Sequence, residues 1–384
     1  MKTLASVFHQ LAAALLCGAL LLAPAGCEKA NWQPGQAIAA KDLRIGVLYL
    51  TDPDKETSGF TYEHHAGIRS MQKTLGIADA QIVIKRSIPD TNPNGTGHHL
   101  RELAASGVNV IFAVSAGYAD ACARVAAEYP NVIFTTLGGN EHNARNLTNY
   151  YGAIHQARYL SGIVAGLQTK TDKIGYVAAM GMEDSQVTSG LNAFAIGVES
   201  VNPAAQILVH VTHNWFDPAN EALATRLLIK HGSDIVTHHT DTPTPIREAQ
   251  KAGVPGIGYN SDMRREAPET VLTSAIWHWN VYYTVLTQSV IDGTFTTAPY
   301  FGGIRDRLIG LAPLNEKLVA SETAAAVEKA ATRIRNGEFD VFDGIMETND
   351  GRKIGRNGGR LTAQEIGQNM TWYYRNIVAL QSAR

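Results

Sequence analysis

The chain has 384 residues, of which 45% are hydrophobic and 18% charged, with a formal net charge of -2 at pH 7. That length exceeds one small core and fits two lobes of ordinary domain size. The balanced charge excludes nucleic-acid binding through a basic face, and no apolar run after Ala23 is long enough to span a bilayer.

Residues 1–26 read as a signal peptide: Lys2 is the positive start, residues 11–23 the apolar core, and Ala23-Pro24-Ala25-Gly26-Cys27 the processing site. Two readings of that site stand side by side. Ala25-Gly26-Cys27 fits a lipobox, with Cys27 lipidated as the first mature residue, although Pro24 stands where such boxes carry Leu. Ala23-Pro24-Ala25 fits ordinary A-x-A cleavage. Lipidation is preferred, because it gives Cys27 a purpose and would hold the protein to the membrane. Loss of Cys17 with the signal then leaves Cys27 and Cys122, too few for a disulfide framework. Residues 27–41 lack periodicity and read as a tether.

From there strands and helices alternate. Strands are predicted at 43–49, 81–87, 109–114, 131–136 and 149–152, with helices to about Leu75, Val108 and Glu128 between them. The next helix, HQARYLSGIVAGLQ, carries Gly162, Ala165 and Gly166, which suit tight packing. A second set follows with strands at 173–179, 206–212, 234–238 and 254–258. The alternation predicts two doubly wound parallel-sheet lobes, each binding ligands beyond the carboxyl ends of its strands. Lobe 1 is assigned 42–148 plus 272–301 and lobe 2 is assigned 149–271 plus 302–384, the chain returning to lobe 1 at 271–275. Helices are expected at 316–335 and 364–380, around a strand pair near 339–359. Two lobes joined by several crossings make a hinged clamshell that closes on a small molecule.

Every strand of the first set ends in small or polar residues, among them Ser115-Ala116-Gly117-Tyr118 and Leu137-Gly138-Gly139-Asn140. Close approach of a backbone to a ligand asks for such residues, and so do ordinary turns; only their repetition favours a cleft. Trp215, Asp217 and Asp241 lie at strand ends of the second set. Histidines invite a metal reading at His64-His65, His98-His99 and His238-His239, with His210 and His213 near. Adjacent residues of a strand point to opposite faces and no H-x-x-x-H accompanies them, so neither a metal nor a cofactor is expected. Catalysis is not expected either. Ser70-Met71-Gln72-Lys73 lacks the companions that the S-x-x-K chemistry needs, and there is neither a nucleophile elbow nor a phosphate-cradling loop.

Beyond these readings the sequence resembles the basic membrane protein family, the purine-nucleoside-receptor type of ABC-transporter substrate-binding lipoprotein. The match is carried by Ser58-Gly59-Phe60-Thr61, His155-Gln156-Ala157 with Gly162 and Gly166, Ile174-Gly175-Tyr176-Val177 and Asn192-Ala193-Phe194-Ala195-Ile196-Gly197. It continues through Val201-Asn202-Pro203, Trp215-Phe216-Asp217-Pro218, His239-Thr240-Asp241, Ile257-Gly258-Tyr259 with Ser261-Asp262-Met263, and Trp372-Tyr373. The resemblance implies a type I periplasmic-binding-protein clamshell, extracytoplasmic and monomeric, that delivers a purine nucleoside or base to an ABC permease and its ATPase. It implies a base sandwiched between Phe60 and Trp215, with Asp262 on the ribose hydroxyls and Asp120 facing the base. Asp241 would align polar groups, and Tyr118, Tyr150 and Trp277, at strand ends or crossings, complete the candidate set; Trp277, near a crossing, reads more as core than as ligand-facing. The sequence departs at Thr61-Tyr62, where Asn-Gln or Asn-Ser is usual, and Trp215 beside His-Thr-Asp resembles the subgroup that takes free bases. Other readings are a ligand sensor docking to a signalling receptor, and the same fold carrying a flavin or a sugar.

Overall fold

The structure, a computed structural model, describes residues 32–380. The signal segment, its processing site and Cys27 lie outside the described residues. The described part of the tether is held to the body, since Ile38 N donates to Ile291 O at 3.1 Å.

In chain order the first elements are β1 (Ile45–Tyr49), α1 (Phe60–Leu75), β2 (Ile82–Lys85), α2 (Pro93–Ala105), β3 (Val110–Val114), α3 (Ala119–Glu128), β4 (Ile133–Leu137) and β5 (Leu147–Gly152). Then come α4 (Ile154–Gln168), β6 (Lys173–Ala178), α5 (Ser185–Glu199), β7 (Gln206–Val211), α6 (Pro218–Lys230), β8 (Ile235–His239), α7 (Thr244–Lys251), β9 (Gly256–Asn260) and β10 (Val271–Trp277). The chain closes with α8 (Trp279–Ile291), β11 (Tyr300–Gly302), β12 (Ile309–Leu311), α9 (Ser321–Asn336), β13 (Asp343–Glu347), β14 (Lys353–Arg360), α10 (Ala363–Gly367) and β15 (Ile377–Ala379).

Two sheets result. The first runs β11-β5-β4-β3-β1-β2 and is wholly parallel. The second runs β12-β10-β9-β8-β6-β7-β15, parallel but for the β12 edge. Strands such as IGVLY of β1 and VIFAV of β3 are buried at every residue. Continuous apolar runs of this kind belong to parallel strands covered by helices on both faces. Both sheets reverse their strand order, at β1/β3 and at β6/β8, and a switch point opens a crevice beyond the carboxyl ends there. The fold is the type I clamshell.

Three chain crossings join the sheets, at Gly152–Ala153, around His278, and between β11 and β12. They pack on one glycine. A Cβ on Gly152 would stand 2.7 Å from Gly302 O, 2.7 Å from Leu308 Cδ2 and 2.9 Å from Trp277 Cζ3. The small residues of α4 do what the sequence suggested: a Cβ on Gly162 would strike Phe194 O, and one on Gly197 would strike Tyr159 O, so α4 and α5 touch backbone to backbone.

Three expectations are corrected. β10 does not return to the first lobe; it pairs with β9 and β12 in the second sheet, and the crossing falls after Trp277. Tyr150 and its neighbours form β5 of the first sheet, paired with β4, so the boundary lies after Gly152 and not before Asn149. The helix expected at 364–380 stops at Gly367. Beyond it the backbone is captured by side chains of α5: Met370 N donates to Ser185 Oγ at 3.1 Å and Tyr374 N to Asn192 Oδ1 at 2.9 Å. The chain then turns at 375–376 into β15. Helix α7, for its part, was not anticipated.

Candidate functional site

A cavity of about 890 Å³ lies where the two switch points face each other. From the first lobe it takes the ends of β1 and β3, and from the second the loops after β6, β7 and β8 and the end of β9. Its size is that of an ordinary small-molecule site.

The loop after β1 delivers Phe60. Gly59 precedes it at φ 100°, a left-handed value that glycine tolerates, and its Cβ direction is filled by the Asp241 carbonyl. Gly59 N donates to Ser261 Oγ at 3.0 Å and Phe60 N to Asp241 O at 3.4 Å. First-lobe backbone thus rests directly on second-lobe loops, and the lobes are closed on each other. Gln368 Nε2 donates to Asn140 Oδ1 at 2.9 Å in a further bond between them.

Behind Phe60 runs an aromatic floor. The His64 ring meets Phe60 edge-on at 4.6 Å and stacks on Trp279 at 4.4 Å; Trp279 stacks on Trp277 at 4.3 Å, and Tyr151 leans on Trp277 at 5.3 Å. Burial holds the His64 imidazole well below its usual pKa, so it is neutral and packs as a flat ring. From the second lobe, Trp215 follows β7; its carbonyl accepts from Asp241 N at 2.8 Å and its ring meets His239 edge-on at 5.7 Å. Phe216 also lines the cavity and is 50% exposed.

Polar groups gather at the ends of the strands. Asp90 accepts from Ser115 Oγ at 2.6 Å and fills the space where Gly117 would carry a Cβ. Glu56 accepts from the Thr51 hydroxyl and from Tyr62 N. Among the described residues the Asp241 carboxylate is met only by Asn260 Nδ2, at a long 3.4 Å, from a residue itself at φ 67°. Burial raises the Asp241 pKa well above the carboxylate range; Asn260 offsets part of this, and Glu221, Glu56 and Asp90 add to it. The shift is toward the protonated form, which can donate as well as accept. The lining residues include Glu56, Asp90, Glu183, Asp184 and Asp241 but neither Lys nor Arg. Such a site suits an uncharged planar ring with hydrogen-bonding edges and opposes an anion.

Of the residues singled out from the sequence, Phe60, Trp215, Asp241 and Trp277 line the one cavity. Four do not. Tyr118 is wholly buried and its hydroxyl donates to Ile88 O. Asp120 is exposed in the first turn of α3. Tyr150 is core: it stacks on Tyr282 at 4.0 Å, and its hydroxyl lies 3.0 Å from that of Tyr283. Successive strand residues face opposite sides, so Tyr151 reaches the cavity and Tyr150 cannot. Asp262 accepts from Arg264 N at 3.1 Å and pairs with the Arg264 guanidinium outside the lining. Sequence reasoning passed over Tyr151, Trp279, Asp90, Tyr259 and Asn260 as ligand-facing groups; the last two end β9 and were legible by the strand-end rule already applied to Asp241. Among the described residues no group of three or more His, Cys, Asp or Glu is placed to hold a metal.

Two parallel-sheet lobes closed over such a cleft define a solute-binding protein of the periplasmic type. The family described as "ABC transporter substrate-binding protein PnrA-like" matches residues 47–343, and the chain belongs to it, the basic membrane protein family. The protein is therefore the substrate-binding part of an ABC transporter. Its family works outside the cytoplasm, binds small molecules for a permease, and has a non-enzymatic role in transport. Among similar proteins, a purine-binding protein of Brucella abortus is 29% identical over 332 residues, covering 86% of this chain and 92% of that one. A Haloferax volcanii protein, described as a candidate ABC-transporter glucose-binding protein, is 34% identical over 254 residues, covering 66% and 63%. The solved structure of an ABC-transporter solute-binding protein from Conexibacter woesei superposes with a TM-score of 0.65 at 20% identity, covering 78% of this chain and 98% of that one; it speaks for the fold alone. Among the described residues no helix is long and apolar enough to cross a membrane.

Proposed function

We propose that the cleft captures a purine base or nucleoside and that Cys27, lipidated, tethers the receptor beside its permease. The observation that carries the reading is the placing of Phe60 and Trp215, from different lobes, in one cavity. Closure would strip water from a planar ring between them, and aromatic stacking of a base contributes about 1 to 3 kcal/mol. Asp241, with Asn260, supplies a donor and an acceptor for the polar edge of the ring. The similarity to a purine-binding protein along 92% of that protein's length supports the same ligand class. With Asp262 outside the lining, the ribose contact suggested by the resemblance has no carboxylate at that place, which favours the free base over the nucleoside.

Thermal-shift screening tests the ligand. A purine at 100 times its Kd adds about 2.7 kcal/mol and a clear rise in Tm. A rise with glucose or a flavin and none with purines would replace the reading. Cys27→Ser should move the protein from the membrane fraction to the soluble one, and an unchanged membrane fraction would remove the lipid anchor.

A further inference from the structure

Behind the cavity wall made by Tyr259 sits a buried cation. Arg158, near the start of α4, is 0% exposed, and its Nε, Nη1 and Nη2 have no partner among the described residues. A guanidinium taken out of water without a carboxylate is costly. Here aromatic faces stand in for the anion: the Arg158 Cζ lies 4.1 Å from the Tyr259 ring centre and 5.6 Å from that of Tyr176. Its neighbours do not share the charge. His238 is pushed down to about 3 and His239 well below its usual value, by burial first and by Arg158 second, so both are neutral near pH 7.

Tyr259 meets this cation and also lines the ligand cavity. Its hydroxyl accepts from Trp277 Nε1 at 3.4 Å. An indole N–H only donates, so that bond leaves the phenolic proton unused. A cation held against the ring withdraws electron density from the oxygen and strengthens the donor. Asp241 and Asn260 stand at the neighbouring ends of β8 and β9, so an acceptor on the ligand can meet Tyr259 while its other edge meets the acid and amide.

We propose that Tyr259 is a specificity-determining donor that reads an acceptor atom of the ligand, and that Arg158 is a positioning residue acting through it, fixing the ring and polarising its hydroxyl. The ligand class is a planar heterocycle with a ring-nitrogen or carbonyl acceptor. This rests on the purine reading, in which the ring nitrogens are such acceptors.

The test uses calorimetry with adenine, 3-deazaadenine and 7-deazaadenine on the full protein. Wild type should prefer adenine over one deaza analogue by about tenfold, the size of one neutral hydrogen bond. Tyr259→Phe should erase that preference. Arg158→Met, which keeps bulk without charge, should reduce it several-fold, and Arg158→Lys should restore part of it. Full preference in Tyr259→Phe, or identical behaviour of the Met and Lys variants, overturns the proposal. A readout without ligand separates this from the purine reading. The ¹³Cζ resonance of Tyr259, assigned by its loss in Tyr259→Phe, should move in Arg158→Met and stay near wild type in Arg158→Lys. If it stays in both, Arg158 does not act on Tyr259, whether or not any purine binds.

Discussion

Trp215→Ala isolates the stacking contribution with little else disturbed. The loop is held through main chain, by the Asp241 N to Trp215 O bond at 2.8 Å, and that bond survives the substitution. The ring meets His239 of β8 edge-on at 5.7 Å, a contact that the substitution also removes. What is lost is one face of the clamp, about 1 to 3 kcal/mol per stacked base, or roughly a 5- to 150-fold rise in Kd. Calorimetric titration with adenine on protein of unchanged Tm measures it. A variant that folds normally and binds adenine as tightly as wild type would refute the sandwich.

Asp262→Ala should leave purine affinity within about twofold, because its carboxylate engages Arg264 at a partly exposed site, where such pairs contribute ~0 to 1 kcal/mol; a tenfold loss would place it at the ligand after all. Gly162→Ala should destabilise the protein by about 1 to 3 kcal/mol in denaturant titrations, since the added methyl strikes Phe194 O and must part α4 from α5; unchanged stability would mean the helices are not in backbone contact. Glu63 is pushed up to about 8 by burial first and by Asp262 second, from an ordinary 4.5. The folded state then holds a proton that the unfolded chain releases, so this contribution is complete below pH 4.5 and is lost as the pH rises toward 8. Glu63→Gln should therefore narrow the fall in Tm between pH 5 and pH 8, and an undiminished fall would assign the pH dependence elsewhere.

The α/β alternation was legible because parallel strands such as β1 and β3 are apolar runs bounded by turn residues, a signal local to each segment. Which sheet a strand joins is not local. VLTSAIW of β10 reads the same in either lobe, and only its pairing with β9 and the packing of the next helix, where Gly67 admits Trp279, place the crossing after Trp277. Trp215 and Asp241 are legible because each follows a strand end, where the fold itself puts ligands; Phe60, which opens α1, was carried by the resemblance. Tyr150 was chosen over Tyr151 because a one-residue difference in facing leaves no mark on composition. Asp262 was carried by resemblance alone, and Arg264, two residues on, draws it away. The segment after Gly367 has apolar spacing suited to a helix, but Ser185 and Asn192 offer its backbone hydrogen bonds that a helix would forgo.

The central claim, two jaws closed on a planar purine, is met most directly by mass spectrometry of the small molecules released when protein purified without added ligand is denatured. The account predicts a purine base or nucleoside approaching one per chain in the wild type and much depleted in Trp215→Ala. A sugar or a flavin at that stoichiometry would contradict it.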